Sequence, residues 1–223
     1  MRGLTLFIGA AALVLGASAH AATFTFSGDP FAGSTAPGTP GRQVVGGEPS
    51  ITFSSAADVF SFEGSFFAFV GNIAFANGTI DSIPSAGTNV AVLRTFDNDN
   101  NAATPFGAGN AANLLAERIT TPGAGLFVYF NSGLDLARLV YSADLSDNTA
   151  DLKILARMTN LTGAAGRDAL QQFTAEDFSF AAAPVPEPAT FLLLGSGMAL
   201  IAGLRRGQRR VSRNGASPRT RST

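Results

Sequence analysis

Histidine and cysteine, on which many enzymes and metal sites depend, are almost missing from this sequence. The 223 residues contain no cysteine, and the single histidine is His20, in a segment with the features of a cleaved leader. A mature chain without either residue cannot hold a Ser-His-Asp or Cys-His nucleophile, nor a zinc site built on those ligands. Since no disulfide can form either, a hydrophobic core must stabilise the folded chain.

Tryptophan is also absent and tyrosine occurs twice, whereas there are 19 phenylalanines. Sites that stack an aromatic ring on a sugar favour exposed tryptophan or tyrosine. Tyr129 and Tyr141 both lie in apolar, strand-like runs, so we expect them to pack in the core or at its rim. The phenylalanines can supply that core, because burying each side chain contributes about 1.5–3 kcal/mol.

Residues 1–21 have the three parts of a secretory signal peptide. Arg2 supplies the positive charge, Leu4 to Leu15 is apolar, and Ala19-His20-Ala21 is a small-x-small cleavage site. We therefore expect the Sec translocon to export the chain and signal peptidase to cleave it, so that the mature protein begins near Ala22.

A second composite segment, residues 184–210, lies near the C-terminus. In Val185-Pro186-Glu187-Pro188-Ala189-Thr190, two prolines hold one acid in extended backbone. Residues 191–204 are apolar and predict a transmembrane helix, shorter than the roughly 20 residues of a comfortable span. A basic stop follows, which keeps the C-terminus cytoplasmic; it consists of Arg205, Arg206, Arg209 and Arg210.

This order of proline motif, apolar helix and arginine cluster closely resembles the PEP-CTERM sorting signal. The resemblance implies a transient anchor in the inner membrane and processing by an exosortase-type membrane protease. It also implies release to the cell surface or to an extracellular matrix of exopolysaccharide, as in a biofilm. Pro186, Glu187 and Pro188 would be the residues recognised. An ordinary tail anchor or a buried core helix is the alternative, and residues 211–223, polar and basic, predict a disordered tail.

The exported domain, residues 22–183, is strongly acidic. It contains fifteen acidic and seven basic residues, a net charge of −8 that the whole-chain value of −1 conceals. Such a charge disfavours nucleic acid and anionic membrane surfaces as partners.

Hydrophobic residues in this domain mostly alternate with polar ones, as in Thr23 to Phe26 and Leu152 to Met158. Short alternating runs separated by Gly, Pro, Asn and Asp clusters predict a mainly β fold, which we expect to be an antiparallel β-sandwich or jelly roll. Residues 110–119 and 167–173 predict two short helices.

An acidic loop, Asp97-Asn-Asp-Asn-Asn101, offers oxygen ligands from Asp97, Asp99 and Asn101 at the spacing with which a calcium-binding EF-hand loop begins. Ala102 and Ala108 stand where that motif needs Gly and Glu, so a solvated turn is the alternative. Asp144, Asp147, Asn148 and Asp151 form a second loop of this kind. Calcium is the one cofactor that the sequence offers.

No residue is predicted to be catalytic. A glycosidase needs two facing carboxylates, but the local sequence does not distinguish the candidates from surface charges (Glu48, Glu63, Glu117 and Glu176). We therefore expect a non-enzymatic surface or matrix protein. The alternative is a calcium-dependent adhesion module for polysaccharide or ice, although the threonine ladder typical of ice binding is missing.

Overall fold

The structure, a computed structural model, describes residues 21–36, 38–63, 67, 72–101 and 103–181. The described part is mainly β with two short helices, as the sequence predicts. Its strands are β1 (Thr23–Phe26), β2 (Val44–Val45), β3 (Ser50–Ile51), β4 (Val59–Glu63), β5 (Phe75–Gly78), β6 (Val90–Leu93), β7 (Gly125–Asn131), β8 (Leu136–Ser142), β9 (Leu152–Thr162) and β10 (Phe178–Ala181). The helices are α1 (Ala108–Arg118) and α2 (Gly163–Ala169).

The strands form two sheets. A three-stranded sheet has the order β1-β4-β10, and a seven-stranded sheet has the order β2-β9-β8-β7-β6-β5, with β3 also paired to β9. The two terminal strands of the described chain therefore flank β4 in the same small sheet.

The expectation of an antiparallel fold is wrong for most of these pairings. Among the described strands, only β7–β8 and β8–β9 are antiparallel, whereas the six other pairings are parallel. Parallel neighbours need a crossover connection of about a dozen residues or more. The long segments between β1 and β4, between β4 and β10 and between β6 and β7 supply such connections, and the last contains α1.

A layer of phenylalanines fills the space between the two sheets. Phe53 stacks on Phe60 at 4.1 Å between ring centroids and on Phe173 at 5.2 Å. Phe178 of β10 contacts Phe75 of β5 at 5.9 Å, so rings from both sheets meet there. Stacked and tilted ring pairs contribute about 0.5–1.5 kcal/mol beyond burial. This layer joins residues of the two sheets in one apolar cluster.

Helix α1 covers the other face of the seven-stranded sheet. Ala108, Ala111, Ala112 and Leu115 are buried, the spacing of one helical face. They pack with residues of β6, β7 and β8 in a second apolar cluster. All seven residues of β7 are buried because both faces of the strand are covered, which explains the apolar run from Leu126 to Phe130.

Asn77-Gly78, a pair typical of turns, lies in β5 instead. A Cβ at position 78 would meet the Ser82 hydroxyl, so a larger residue there would need the Ser82 side chain to rotate away.

Among the described residues, no helix is long and apolar enough to cross a membrane. The helix predicted at 191–204 lies outside them, as do residues 1–20 of the signal peptide and the tail at 211–223.

Candidate functional site: an arginine groove

The sorting motif, Val185 to Thr190, and the basic stop, Arg205 to Arg210, lie outside the described residues. The candidate sites of the body can be placed, however, and they differ in how their polar groups are used.

In the first acidic loop, the side-chain oxygens fold the loop back on itself. Asp97 Oδ1 accepts hydrogen bonds from the backbone N–H groups of Asp99 and Asn100, both at 3.0 Å. Asp99 Oδ1 accepts from Asn101 N at 2.9 Å, and Asn101 Oδ1 accepts from Ala103 N at 3.1 Å. These are the local turns that Asn and Asp favour. Calcium binding by Asp97, Asp99 and Asn101 stays a prediction.

The acids of the second acidic loop accept hydrogen bonds from neighbouring parts of the chain. Asp144 Oδ1 accepts from Gly123 N, Ser146 N and Ser146 Oγ. Asp151 Oδ1 accepts from Gln43 N at 2.8 Å. Within the part of the chain that the structure describes, no three His, Cys, Asp or Glu side chains are grouped so that they could hold a metal ion.

A buried ion cluster forms around Glu48, in the link between β2 and β3. Its side chain is only 1% exposed, and Oε1 accepts from Arg138 Nη2 and, at 2.6 Å, from Arg157 Nε. Arg138 and Arg157 face each other across β8 and β9. Because like charges directly opposite in a sheet repel, the carboxylate between them stabilises this pairing. We call these three residues the Glu48 cluster.

The pKa values around the cluster follow from burial and charge. Burial alone would raise the pKa of Glu48, but hydrogen bonds from Arg157, its own backbone and Arg138, with the charge of Arg138, bring the pKa below its ordinary value. Burial raises the pKa of the Tyr129 hydroxyl, although bonds from Asn131 and Arg138 work against the change. Glu48 is therefore a structural anion, whose ion-pair partners among the described residues are both arginines.

Most basic side chains of the body have partners in the fold. Besides the Glu48 cluster, Arg42 donates to Ala150 O and Gly109 O. Arg118 donates to Ile83 O at 2.6 Å, and Lys153 donates to Gly46 O at 2.7 Å. Arg167 lies over the rings of Phe96 and Phe130, 4.5 and 5.5 Å from their centroids.

Arg94 is the exception. It is exposed, and its side chain makes no hydrogen bond or ion pair with any residue that the structure describes. It lines a groove of about 490 Å³, which we call the arginine groove; its other lining residues are Asn77, Gln171, Gln172 and Phe173.

The wall of the arginine groove is fixed by one amide. Asn77 Nδ2 donates to Leu170 O at 2.9 Å and to Phe173 O at 3.0 Å, which ties the short turn Leu170–Gln172 to β5. Asn77 Oδ1 is buried with no partner among the described residues. Gln171 and Gln172 are exposed on this held turn. Their amides, like the guanidinium of Arg94, are thus presented to solvent from a fixed backbone.

The groove has the chemistry of a site for a carboxylated, hydroxyl-rich ligand. A guanidinium binds a carboxylate through two parallel N–H···O bonds. A glutamine amide both donates to and accepts from hydroxyl groups. Phe96, two residues after Arg94 in the chain, is 40% exposed and carries the Arg167 guanidinium on its ring.

Sequence reasoning missed the groove. Its residues come from positions 77, 94 and 171–173, which only the fold brings together. The one local indication is Arg94 directly after the buried run Val90–Leu93 of β6, where the sheet ends. The tyrosine prediction is confirmed, because Tyr129 and Tyr141 are 0% and 4% exposed.

Residues 184–210 match the family model of the PEP-CTERM protein-sorting motif. None of the curated proteins and none of the solved structures matches the chain. The motif implies export, a membrane-anchored C-terminal tail before processing, and an exosortase-type processing partner. The chain therefore carries a PEP-CTERM protein-sorting motif in its C-terminal segment, as its resemblance to that signal predicts.

Proposed function

We propose that this protein is a non-enzymatic component of the cell surface or extracellular matrix, and that its body binds acidic exopolysaccharide in the arginine groove. The observation that carries the proposal is Arg94, an exposed guanidinium without an ion-pair partner among the described residues, next to two exposed glutamine amides. An acidic sugar offers the carboxylate and the hydroxyl groups that these side chains bind.

The sorting motif supports the same proposal. A protein released by an exosortase after transient anchoring would reach the cell surface, where we expect it to meet secreted polysaccharide. The Sec translocon and signal peptidase would act first, and the protease would then act at the segment around Pro186, Glu187 and Pro188.

The net charge of the body does not prevent this binding. Repulsion between the acidic body and an acidic polymer is screened beyond about 8 Å at physiological ionic strength. A guanidinium in direct contact with a carboxylate is much less screened. We therefore expect binding to be weak per sugar and to strengthen with polymer length, since a chain presents many equivalent carboxylates.

Retention of the exported protein on immobilised polygalacturonate, compared with uncharged dextran, tests the proposal. The wild type should be retained on the acidic polymer alone. Arg94→Ala should weaken binding about tenfold or more, because a charge-assisted hydrogen bond contributes about 1.5–3 kcal/mol. Lys153→Ala, which removes the same charge elsewhere, is the matched control and should bind like the wild type.

Equal retention of the wild type and Arg94→Ala on polygalacturonate would overturn the proposal. So would retention of the wild type on dextran equal to its retention on polygalacturonate. Preference for immobilised poly-glutamate over polygalacturonate would assign the groove to acidic peptides instead.

A further inference from the structure

Asp58 is a buried acid at the point where β4 begins. It is 8% exposed, and both of its carboxylate oxygens accept hydrogen bonds from backbone N–H groups. Oδ1 accepts from Ala22 N and Oδ2 from Ser54 N, each at 2.8 Å.

The ion pairs of the described residues leave this carboxylate out. In the part of the chain that the structure describes, both ion pairs involve Glu48 and neither involves Asp58. A buried carboxylate gains further stabilisation when one of its donors carries a positive charge.

Ala22 is also the first residue after the predicted cleavage site, Ala19-His20-Ala21. When signal peptidase hydrolyses the Ala21–Ala22 bond, water supplies the hydroxyl that completes the Ala21 carboxyl group and a proton to the Ala22 nitrogen. The new amine takes up one further proton at neutral pH, because an α-amino group has an ordinary pKa of about 7.7–8.0.

We propose that the α-ammonium group created at Ala22 by signal-peptide removal forms an ion pair with Asp58 and thereby locks β1 into the three-stranded sheet. The nitrogen already lies at 2.8 Å from Oδ1, so the change needs no movement of the backbone. A neutral hydrogen bond becomes a charge-assisted one, which is about twice as strong.

The contact between Ala22 and Asp58 lies at the start of β1, next to the backbone hydrogen bond that begins its pairing with β4. Val59 N donates to Ala22 O at 2.9 Å, and the parallel register then pairs Thr23 with Val59. Phe24 and Phe26 of β1 pack on Phe60 at 6.0 and 6.1 Å between ring centroids. Since β1 is an edge strand that starts at the new terminus, the ion pair prevents its end from fraying. The body is thus expected to reach full stability only after its leader is removed.

The test uses the full-length gene, expressed in a bacterium that exports and processes the protein. The variants are Asp58→Asn, a glycine inserted between Ala21 and Ala22, and the combination of the two. The insertion keeps the cleavage site but moves the ammonium group one residue away from Asp58. Intact mass gives the N-terminus of each purified protein, and thermal unfolding gives its midpoint. Asp168→Asn, at an exposed acid of α2, is the control for loss of a carboxylate.

We expect the native protein to begin at Ala22. Asp58→Asn should lower the midpoint by about 5–10 °C. The insertion keeps a neutral hydrogen bond to Asp58 and should lower the midpoint by about 2–5 °C, and the combined variant should lie no lower than the worse of the two. A native N-terminus at another residue would overturn the proposal. An insertion that leaves the unfolding midpoint unchanged would also overturn it. So would a combined variant whose midpoint falls by the sum of the decreases in the two single variants. None of these outcomes depends on polysaccharide binding.

Discussion

Arg138 and Arg157 converge on a carboxylate that is 1% exposed, whereas Arg94 stands in an open groove with no ion-pair partner among the described residues. Arg138 and Arg157 lie inside strands β8 and β9, whereas Arg94 directly follows β6, and this position is the only local difference between them. Their difference comes from what the fold brings opposite each one. A guanidinium neutralised inside the protein stabilises the fold, and one left in solvent is available to a ligand.

The largest effect should come from Glu48→Gln, which leaves two facing arginines without their anion. Breaking a buried ion pair by removing one partner costs about 3–5 kcal/mol, and we expect the lower end because the Arg157 side chain is 43% exposed and can regain water. Urea unfolding at pH 7 measures the loss.

Glu63→Gln is the matched control, since Glu63 is exposed at the end of β4 and such changes usually stay within about 0.5 kcal/mol. If Glu48→Gln were no less stable than Glu63→Gln, the Glu48 cluster would not stabilise the fold. Binding to polygalacturonate should be unchanged in both.

The same cluster should respond to acid. The pKa of Glu48 is lowered in the folded protein, so its stabilisation is present above the unfolded pKa of about 4.3 and is lost as the pH falls through the folded value. The difference in unfolding free energy between wild type and Glu48→Gln should therefore be constant from pH 7 to about pH 5 and shrink at lower pH. A difference that grows below pH 4 would contradict the direction of this pKa shift.

We expect a smaller loss of stability where the Arg167 guanidinium lies over the Phe96 ring. Phe96→Ala removes the contact with Arg167, and an exposed cation–π pair contributes about 0.5–1 kcal/mol. Phe96→Leu keeps the apolar volume without the ring and isolates that contribution in the same urea titration. Equal stability of wild type and Phe96→Leu would show that the ring face contributes nothing.

Arg94→Ala should change stability least, by no more than about 0.5 kcal/mol, because the side chain has no partner to lose among the described residues. We therefore expect opposite effects from the two variants: Glu48→Gln loses stability but keeps polygalacturonate binding, whereas Arg94→Ala loses binding but keeps stability. A loss of 2 kcal/mol or more of unfolding free energy in Arg94→Ala would show that Arg94 stabilises the fold, as Arg138 and Arg157 do.

Much of the architecture could be predicted from local patterns. Alternation in Leu152 to Met158 gave strand β9, and the apolar spacing of residues 110–119 gave helix α1 to within two residues at its start. Alternation of apolar and polar residues predicts which residues share one face of a strand, but it does not predict whether the neighbouring strand is parallel or antiparallel. The parallel pairings of β1 and β10 with β4 therefore could not be derived, because they join residues far apart in the chain.

The sites divide in the same way. A contiguous motif such as Val185 to Thr190 is visible in the sequence, and the family match at residues 184–210 confirms it. Glu48, Arg138 and Arg157 form a cluster only through strand register, and Asn77, Arg94 and Gln171 form a groove only through the packing of β5, β6 and the turn after α2. Apart from the position of Arg94 directly after β6, the residues of the cluster and of the groove share no local sequence pattern, because tertiary contacts bring them together.

The most direct test of the account is the intact mass of the native protein in cell-envelope and matrix fractions, for wild type and Glu187→Ala. We expect a matrix form of the wild type that begins at Ala22 and ends near Pro186, whereas Glu187→Ala should keep its tail and stay in the membrane. If both proteins remained in the membrane with their tails intact, the C-terminal segment would be a permanent anchor and the protein would not be a released matrix component.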